Sequence, residues 1–471
     1  MPGPFRPTKP LTRVHLIGIC GAGMQPIARA LMAEGIAVAG SDQDLSKGRE
    51  LREAGATLFE GHAAENLGAA DAVVFSTAIS ESNPEIAKAR AVGIPIVHRS
   101  EMLGWLLGRM ESVLIAGTHG KTTTTTLTSL LLTADGKDPW SFVGGYVREF
   151  GGNLRIGKSR IAVAEADESD GSFLNLPRQH AIITNIEAEH LNHWGTEAAM
   201  FGGFEQLLAP IPHTGAVVLC ADDAGIQRLL PRLTRPVVTY GMMGPAEFSA
   251  VDVVLTGTGS EFTLRHHQAE IGRVRIGVPG KQNVANATGA FALATMLGVD
   301  PARVLNALAE FRGVDRRFTK LPGPNGSLII DDYAHHPTEI AATMAAARMA
   351  ADERGGKLRA IFQPHRITRT ESFFNDFGPA LASADEVFLT DIYAAGEPPI
   401  AGITGATLAA KITSQIVAKT HFMEDFGALK KAVLSVTNES DIVLILGAGS
   451  VTKLAHELSR HAAPSSIPPR S

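Results

Sequence analysis

The sequence has little cysteine: two residues, Cys20 and Cys220, in a chain of 471. Two cysteines cannot build the disulfide framework that stabilises small secreted domains. Their scarcity is typical of proteins that remain in a reducing compartment, so we expect a cytoplasmic protein.

Long apolar runs and an excess of one charge are missing as well. No stretch approaches the roughly 18 uninterrupted apolar residues of a membrane-spanning helix. The first residues, MPGPFRPTKPLTRVHLIG, are basic but lack the apolar core and cleavage site of a signal peptide. Lysine and arginine number 43 against 48 aspartate and glutamate, and neither sign forms a long block. The sequence therefore predicts no nucleic-acid partner and no membrane partner.

What the chain does contain is a regular alternation of short β-rich runs and helical stretches. This pattern predicts an α/β fold of βαβ units with mainly parallel sheets. The length suits two or three domains, and the runs fall into three groups. We expect domains at residues 1–110, 111–321 and 322–471, with the second boundary in the turn-forming segment 321–326. Within the second group, residues 237–278 predict an antiparallel flap.

The second group opens with a strand that runs directly into the string GTHGKT, residues 117–122. A glycine-rich turn between a strand and a helix directs backbone N–H groups and the helix dipole at an anion. In such a loop Lys121 reaches the β- and γ-phosphates of a nucleotide, and the Thr122 hydroxyl ligates Mg²⁺. The strict pattern has glycine where Ile115 stands here. The string predicts an ATP site; a plain strand–helix turn with a solvated lysine is the alternative.

The first group contains a similar turn, GICGAG, at residues 18–23. It looks like a dinucleotide-binding fingerprint, but its spacing is GxxGxG instead of GxGxxG. Asp42 ends the following strand, where an acid hydrogen-bonds a ribose in such folds. The turn predicts a bound nucleotide diphosphate, and a tight turn without a ligand is the alternative.

Acidic residues follow two strands of the second group. The string EADESD (165–170) ends one strand, and TNIEAEH (184–190) ends the next and adds His190. Open α/β sheets bind ligands at the carboxyl ends of their strands, and carboxylates suit hard divalent cations. We predict a metal site here, against the alternative of a solvated acidic loop.

Two strand ends of the third group carry histidine and arginine. The string DDYAHHP (331–337) ends the first strand and QPHRITR (363–369) the second. Histidine and arginine at neighbouring strand ends predict a pocket for a phosphate or a carboxylate. Arg317, which precedes the second boundary, either contacts phosphate or forms a solvated pair with Arg316.

Together these motifs resemble the Mur ligases of peptidoglycan synthesis, and within that family the branch that adds L-alanine. The matching strings occur in the family's order: AGTHGKTTTT, EADESDGSFL, TNIEAEHL, DDYAHHPTE, FQPHRITRT and DIYAAGE. The resemblance implies an N-terminal Rossmann-like domain that binds UDP-N-acetylmuramate, a central P-loop ATPase domain, and a C-terminal Rossmann-like domain that binds the amino acid. It also implies that ATP phosphorylates the lactyl carboxylate of UDP-N-acetylmuramate and that L-alanine then attacks the acyl phosphate.

The resemblance further implies roles for individual residues. The ATP phosphates are expected to contact Gly117, Thr118, His119, Gly120, Lys121, Thr122 and Thr123. The rest of the nucleotide is expected to contact Asn283, Asn286, Arg317 and Asp332. Two Mg²⁺ ions are expected, with Thr122, Glu165 and His190 as ligands. UDP-N-acetylmuramate is expected to contact Gly18, Gly21, Ala22, Gly23, Met24, Asp42, Ser76, Thr77, Arg99 and Ser100. The expected catalytic residues are Lys121, His190, His335, Arg366 and Arg369, of which the last three hold the alanine and the phosphorylated intermediate.

Three features depart from the family's pattern. Gln282 replaces the usual histidine, which puts one adenine contact in doubt. Asn192-His193-Trp194 replaces a stretch that normally contains aspartate. Several sister enzymes carry a carbamylated lysine after the metal-binding histidine, but this chain has no lysine between Lys158 and Lys281.

Three other functions compete with this interpretation. A ligase that attaches a recycled tripeptide to UDP-N-acetylmuramate shares the phosphate loop, but tyrosine usually follows its acidic motif, where this chain has SDGSFL at residues 169–174. A nicotinamide-dependent oxidoreductase would leave the phosphate loop without a role. A non-catalytic nucleotide sensor does not need all the candidate Mg²⁺ ligands, and this chain contains all of them. We expect a monomer or a weak homodimer, although no sequence pattern determines the oligomeric state.

Overall fold

The computed structural model describes residues 5–462, apart from the side chain of residue 192. The ends of the two outer predicted domains, residues 1–4 and 463–471, lie outside this range. The chain forms two compact units. The first comprises residues up to 250 together with 264–272 and 285–308, and the second comprises 251–263, 273–284 and the residues from 309 onward. None of the described helices combines the length and the apolar character that a bilayer crossing requires.

The N-terminal sheet has five parallel strands in the order β3-β2-β1-β4-β5. Its elements are β1 (Arg13–Ile17), α1 (Gln25–Ala33), β2 (Ala37–Asp42), α2 (Arg49–Glu53), β3 (Thr57–Glu60), β4 (Ala72–Phe75), α3 (Pro84–Val92), β5 (Ile96–His98) and α4 (Arg99–Leu107). Four of the five residues of the central strand β1 are buried, as expected for a strand covered on both faces. The turn GICGAG connects β1 to α1, so it lies at the carboxyl end of the sheet.

The second sheet has ten strands in the order β15-β14-β13-β12-β11-β10-β6-β9-β7-β8. Its elements are β6 (Glu111–Ala116), α5 (Lys121–Ala134), β7 (Trp140–Val147), β8 (Gly152–Arg155), β9 (Ile161–Glu165), β10 (His180–Ile183), α6 (Leu191–Trp194), α7 (Glu197–Leu208), β11 (Val217–Cys220), α8 (Ala224–Leu229), β12 (Val238–Gly241), β13 (Phe248–Leu255), β14 (Ser260–His266), β15 (Ala269–Ile276), α9 (Lys281–Met296) and α10 (Pro301–Glu310). Strands β10, β6 and β9 are parallel neighbours. Their carboxyl ends therefore bring the phosphate loop, the string EADESD and the segment before His190 to one edge of the sheet.

The antiparallel flap predicted for residues 237–278 is wrong at its start. β12 pairs in parallel with both β11 and β13. The β12–β13 pairing involves only Tyr240 with Phe248 and Gly241 with Ser249. Because the paired stretch is so short, the chain can return to a parallel strand without a long crossover connection. Strands β13, β14 and β15 are neighbours joined by loops of four and two residues, lengths that are typical of antiparallel hairpins.

The third sheet has six strands in the order β16-β17-β21-β18-β19-β20. Its elements are β16 (Thr319–Pro322), β17 (Leu328–Asp332), α11 (Pro337–Arg354), β18 (Leu358–Phe362), α12 (Ile367–Ser372), α13 (Phe377–Leu381), β19 (Glu386–Leu389), α14 (Gly405–Gln415), β20 (Lys419–Phe422), α15 (Phe426–Val436), β21 (Ile442–Leu446) and α16 (Thr452–Ser459). All pairs are parallel except β16 with β17. Apolar clusters cover both faces of this sheet.

The segment 321–326 is not a simple linker. Leu321 lies in β16 and pairs with Ile329 of β17, and only Pro324–Gly326 forms the predicted turn. Proline is tolerated at the end of an edge strand, which explains how Pro322 fits into a pairing strand. The α/β class with mainly parallel sheets is confirmed, while the division at residues 110 and 321 stays a prediction.

Candidate active site

The loop between β6 and α5 requires glycine at both ends. Gly117 has a φ of 130°, and a Cβ there would lie 2.2 Å from the Thr184 hydroxyl oxygen and 2.9 Å from the Asn185 carbonyl oxygen. Gly120 has a φ of 82°, and a Cβ there would lie 2.6 Å from Oδ1 of Asn286. Positive φ is accessible to glycine without strain, so the two glycines allow the loop to lie directly against these neighbours.

The ammonium group of Lys121 lies within the loop. Nζ donates to the carbonyl oxygens of Gly117 at 2.7 Å and Thr118 at 3.1 Å, and to Oε2 of Glu168 at 2.7 Å. The Lys121 side chain is 12% exposed and that of Glu168 only 1%. Although burial opposes it, the charge of Glu168 raises the pKa of Lys121, which stays protonated. Burial raises the pKa of Glu168 to about 7 against the attraction of Lys121.

Thr122 and Glu165 form a cluster of oxygen atoms beside the loop. The Thr122 hydroxyl donates to Glu165, at 3.0 Å from Oε2 and 3.2 Å from Oε1. The Gly144 amide also donates to Oε2, at 2.7 Å, and fixes the carboxylate. Hydroxyl and carboxylate oxygens are donors suited to Mg²⁺, so this pair fits the ion that the sequence predicts.

The segment after β10 supports the phosphate loop from the other side. The His119 amide donates to Oδ1 of Asn185 at 2.8 Å, and the His119 carbonyl accepts from the Thr184 hydroxyl at 2.6 Å. The Glu187 amide donates to the Thr118 hydroxyl at 2.9 Å. The loop is therefore held by side chains of a neighbouring strand end as well as by its own glycines.

His190 begins the short helix α6 in the left-handed conformation, with a φ of 56°. Its Nε2 lies 3.8 Å from Oε2 of Glu189. His190 also contributes to the electrostatic environment of Asp167, which belongs to the EADESD string. Its predicted role as a metal ligand stays a prediction.

The predicted adenosine-contacting residues lie on α9. Asn286 packs on Gly120 of the phosphate loop, as described above. Asn283 belongs to the second unit, where its Nδ2 donates to the Pro279 carbonyl at 2.7 Å. Gln282, the departure from the family's histidine, approaches Gly280.

The N-terminal turn is shaped by Asp42. One carboxylate oxygen of Asp42 accepts from the Cys20 amide at 2.9 Å, and the other accepts from the Asp44 amide at 3.3 Å. The amides of Gly18 and Ile19 both donate to the Ser41 carbonyl. Asp42 thus holds the turn in place, a contact that the sequence analysis did not foresee; its contact with a ribose stays a prediction.

Other predicted substrate-binding residues surround this turn. A Cβ on Gly23 would lie 3.0 Å from Nη1 of Arg99. Asn153 donates to the Ala22 carbonyl at 2.8 Å, and Asn175 donates to the Ser100 hydroxyl at 3.1 Å. Ser76 and Thr77 directly follow β4 at the same end of the N-terminal sheet. The structure therefore gathers most of the predicted substrate-binding set around one turn.

A buried polar network that no sequence motif predicts lies beneath the turn. Glu85 is fully buried, and its carboxylate accepts from the Ser41 hydroxyl at 2.6 Å and from Nδ2 of Asn66 at 2.7 Å. His15, also fully buried, places Nε2 at 3.5 Å from Glu85. These residues come from four separate segments, and no local motif links them.

In the second unit, the carboxylate of Asp332 is buried and hydrogen-bonded to the backbone. Its carboxylate accepts from the amides of Phe318 at 2.7 Å and Ala334 at 2.8 Å. Burial raises the pKa of Asp332 to about 6, against the attraction of Arg317. Arg317 lies over the ring of Tyr333 and its Nη1 is 3.6 Å from Oε1 of Glu339.

The strand ends of β17 and β18 bring three of the predicted catalytic residues together. The rings of His335 and His365 lie 5.9 Å apart, centroid to centroid. Arg369 donates to the His365 carbonyl at 3.4 Å. Arg366, half exposed, has a φ of 69°, and its Nη1 lies 3.6 Å from Glu397. Two guanidinium groups thus follow the end of β18, while the anion pocket predicted there stays a prediction.

His365 belongs to the string QPHRITR but is not among the expected catalytic residues. It lies at the centre of this group. Its ring stacks on Tyr393 at a centroid distance of 5.5 Å. Burial, followed by the positive charges of His335, Arg369 and Arg366, lowers the pKa of His365 to about 3. Its Nδ1 is buried without a hydrogen-bond partner. His365 is therefore a neutral imidazole among cationic groups.

Comparison with known proteins places these features in a family. The family descriptions "Mur ligase family, catalytic domain", "Mur ligase middle domain" and "Mur ligase, glutamate ligase domain" match residues 13–110, 115–294 and 316–449. The UDP-N-acetylmuramate–L-alanine ligase of Bordetella pertussis is 41% identical over 457 residues, which cover 94% of this chain and 97% of that protein. The enzyme of the same name from Solidesulfovibrio magneticus is 41% identical over 448 residues, covering 95% and 97%.

A solved structure is similar over nearly the whole chain. The crystal structure of the UDP-N-acetylmuramate-alanine ligase MurC from Thermotoga maritima superposes with a TM-score of 0.80 at 30% sequence identity. The superposition covers 95% of this chain and 98% of that one. Its fold agrees with the three α/β sheets described above. The chain belongs to the Mur ligase family.

Proposed function

We propose that this protein catalyses the ATP-dependent ligation of L-alanine to the lactyl carboxylate of UDP-N-acetylmuramate. Full-length similarity to enzymes of that name supports the assignment. The structural observation that carries it is the group of Lys121, Thr122 and Glu165 at one edge of the second sheet. A carboxylate is a poor electrophile, and transfer of a phosphoryl group to it requires that negative charge be neutralised.

The first step transfers the γ-phosphoryl group of ATP to a carboxylate oxygen, and ADP leaves. We assign Lys121 to the β- and γ-phosphates and the amides of residues 117–123 to the surrounding phosphate oxygens. Thr122 and Glu165 would hold one Mg²⁺ and His190 a second. Mg²⁺ bound there supplies positive charge that offsets the repulsion between phosphate and carboxylate. The hard oxygen donors of Thr122 and Glu165 fit this ion.

We assign the rest of the nucleotide to two asparagines, an arginine and an aspartate. Asn286 packs on the loop, and Asn283 is on the same helix. Arg317 and Asp332 complete the proposed set. Because two backbone amides donate to the Asp332 carboxylate, Asp332 also holds residues 318 and 334 in place.

UDP-N-acetylmuramate is assigned to the N-terminal turn. The backbone of Gly18, Gly21, Ala22, Gly23 and Met24 would surround the diphosphate at the start of α1, a position that favours anions. Arg99 beside Gly23 would add a positive charge. Asp42, Ser76, Thr77 and Ser100 complete the proposed site.

The second step forms the peptide bond. The amine nitrogen of L-alanine attacks the carbonyl carbon of the acyl phosphate, the tetrahedral intermediate expels phosphate with its C–O electron pair, and the nitrogen loses a proton. We assign Arg366 and Arg369 to the negative charges of the amino acid and of the phosphorylated intermediate. His335, whose ring lies 5.9 Å from that of His365, completes the proposed set.

We also propose that the reaction takes place in the cytoplasm. Both described cysteines are free, as is usual in a reducing compartment, and the reaction consumes ATP. We propose that the enzyme acts as a monomer or a weak homodimer on small molecules alone, without a nucleic-acid or membrane partner.

Measurement of phosphate release tests the proposal. The protein is incubated with ATP, Mg²⁺ and UDP-N-acetylmuramate, and L-alanine, glycine, L-serine or the tripeptide is added in parallel. We expect release that depends on L-alanine. Release with the tripeptide alone would assign the chain to the recycling ligases instead, and no dependence on any amine would contradict a ligase.

The variant Lys121→Ala tests the role of the phosphate loop. We expect turnover to fall below detection, because the neutralising charge is lost, while UDP-N-acetylmuramate still binds in calorimetry. Lys158→Ala removes an exposed lysine outside the proposed sites and serves as the matched control. Turnover retained in Lys121→Ala would refute the role of the loop.

A further inference from the structure

A group of metal-ligand side chains lies outside the proposed active site, at the hairpin between β14 and β15. Glu247 precedes β13, His266 ends β14, and His267 occupies the following turn. One carboxylate oxygen and one ring nitrogen from each histidine lie within 4.8 Å of one another. All three residues belong to the first unit. None of the motifs assigned to the proposed reaction contains them.

The distances between the potential ligand atoms are close to the distances between the ligand atoms around a bound cation. Nε2 of His266 lies 3.3 Å from Oε1 of Glu247, and Nε2 of His267 lies 3.9 Å from the same oxygen. Ligands about 2.0–2.1 Å from a tetrahedral Zn²⁺ are about 3.3 Å apart. The His266–Glu247 pair already has this spacing, and the His267 pair needs to contract by about half an ångström. The His267 side chain is 69% exposed, so it is able to make this adjustment.

Packing holds two of the three ligands in place. The His266 ring stacks on Phe248 with centroids 4.2 Å apart and planes 7° from parallel. The Glu247 amide donates to the Thr239 hydroxyl at 3.1 Å, and the Glu247 carbonyl accepts from the His267 amide at 2.6 Å. The His266 ring and the backbone of Glu247 are therefore held in place before any ion binds, which lowers the entropic cost of binding.

The backbone at His267 adds an independent observation. Its φ is 51°, in the left-handed region, within a two-residue hairpin loop. Glycine, asparagine or aspartate are the usual residues at such positions. A bulky side chain in this conformation suggests a function for the side chain itself. The stacked His266 and His267 rings, 4.6 Å apart, place both imidazoles on the same side of the turn as Glu247.

We propose that Glu247, His266 and His267 form a binding site for one late transition-metal cation of the Zn²⁺ type. Two imidazoles and one carboxylate are a donor set that zinc accepts, with the fourth position left to water. Imidazole ligands disfavour Mg²⁺, which prefers oxygen donors. The site thus differs in chemistry from the proposed Mg²⁺ site of the phosphate loop.

Equilibrium dialysis of the full-length, untagged protein against Zn²⁺ in the presence of excess Mg²⁺ tests this site. The excess Mg²⁺ occupies the oxygen-rich active site. We expect one Zn²⁺ per chain, with the affinity reduced about tenfold or more in each of Glu247→Gln, His266→Ala and His267→Ala. His213→Ala, which removes another exposed histidine, leaves the affinity unchanged.

A second measurement keeps the test independent of folding. His267 is the most exposed of the three ligands, so His267→Ala is expected to fold like the unchanged protein. Because a ligand that binds only the native state raises its stability, Zn²⁺ is expected to raise the thermal midpoint of the unchanged protein and not that of His267→Ala. Absence of Zn²⁺ binding in excess Mg²⁺, or binding that all three substitutions leave intact, would overturn the proposal.

Discussion

Glu168 is the residue whose environment gives the most information about the phosphate loop. It is almost fully buried, it forms an ion pair with Lys121, and its second carboxylate oxygen has no hydrogen-bond partner. A carboxylate beside the lysine competes with nucleotide phosphates for the same ammonium group. Protonation of Glu168 removes that competition, so the pKa near 7 links the ATP site to pH.

This environment predicts a pH dependence of ATP binding. As pH rises through about 7, Glu168 becomes anionic and the KM for ATP rises, by about fivefold if the added charge costs about 1 kcal/mol. Glu168→Gln is expected to remove this increase, because glutamine keeps the shape and loses the charge. The measurement is the KM for ATP and kcat between pH 6 and pH 8.

Asp170→Asn is the matched control for that experiment. Asp170 belongs to the same acidic string, but its Oδ1 accepts from the Ser172 amide at 2.9 Å. We expect its pH profile to follow that of the unchanged enzyme. If the KM for ATP in Glu168→Gln still rises with pH as in the unchanged enzyme, the charge of Glu168 is not the cause of the pH dependence.

His365 gives a second prediction for a single residue. Its lowered pKa, about 3, means that the ring is neutral throughout the physiological range. In an NMR titration of labelled histidines, the His365 signals are expected to stay constant between pH 8 and pH 5. The signals of exposed histidines such as His213 in the same spectra serve as internal controls. A His365 midpoint near 6.5 would contradict the buried cationic environment described here.

At the scale of elements, the site depends on three parallel strands, β10, β6 and β9, whose carboxyl ends meet. The phosphate loop follows β6, the acidic string follows β9, and the supporting segment 184–187 follows β10. The close approach of this segment to Gly117 makes the loop sensitive to a single added methyl group.

The variant Gly117→Ala tests this close approach. Its Cβ would lie 2.2 Å from the Thr184 hydroxyl oxygen, so the loop or the neighbouring strand end must move. We expect ATP affinity to fall at least about tenfold, because the displaced amides no longer point at the phosphates. Calorimetry with ATP and thermal unfolding are the measurements.

Gly136→Ala is the control, since Gly136 also has a positive φ but a Cβ there meets nothing within 4 Å. Both variants carry the backbone strain of about 1–3 kcal/mol, and only Gly117→Ala adds the clash. Equal ATP affinity in the two variants would contradict the proposed close fit.

Much of this arrangement could be predicted from sequence, because local signals mark strands and the turns after them. The apolar runs predicted the strands that lead into GTHGKT, EADESD and TNIEAEH, which are β6, β9 and β10 in the structure. Parallel strands necessarily place such motifs at one edge of the sheet. The edge strand β16 was missed because its residues resemble turn formers and its pairing with β17 involves tertiary contacts.

The interactions inside the site were less predictable. The burial of Glu168, the partnership of Asp42 with the Cys20 amide and the neutral state of His365 all depend on which segments pack together. Spacing along the chain carries no information on such contacts. The metal-ligand group at the β14–β15 hairpin was missed for the same reason, since Glu247 is 19 residues from His266.

At the scale of the whole molecule, each of the three sheets has a distinctive motif at the ends of its strands. The motif is rich in glycine in the first sheet, in glycine and acidic residues in the second, and in arginine and histidine in the third, and each is assigned to one component of the proposed reaction. The first is assigned to UDP-N-acetylmuramate, the second to ATP and the third to L-alanine. Such a division suits a ligase that forms an acyl phosphate before the amine attacks. The central claim is that the carboxylate is activated by phosphorylation.

Transfer of ¹⁸O from the substrate to phosphate tests this claim most directly. UDP-N-acetylmuramate labelled with ¹⁸O in both lactyl carboxylate oxygens is incubated with the enzyme, ATP, Mg²⁺ and L-alanine, and the released phosphate is analysed by mass spectrometry. If the acyl phosphate forms, each peptide bond leaves one carboxylate oxygen on phosphate, so the account predicts one ¹⁸O per phosphate released. Formation of the alanyl product with unlabelled phosphate would contradict it.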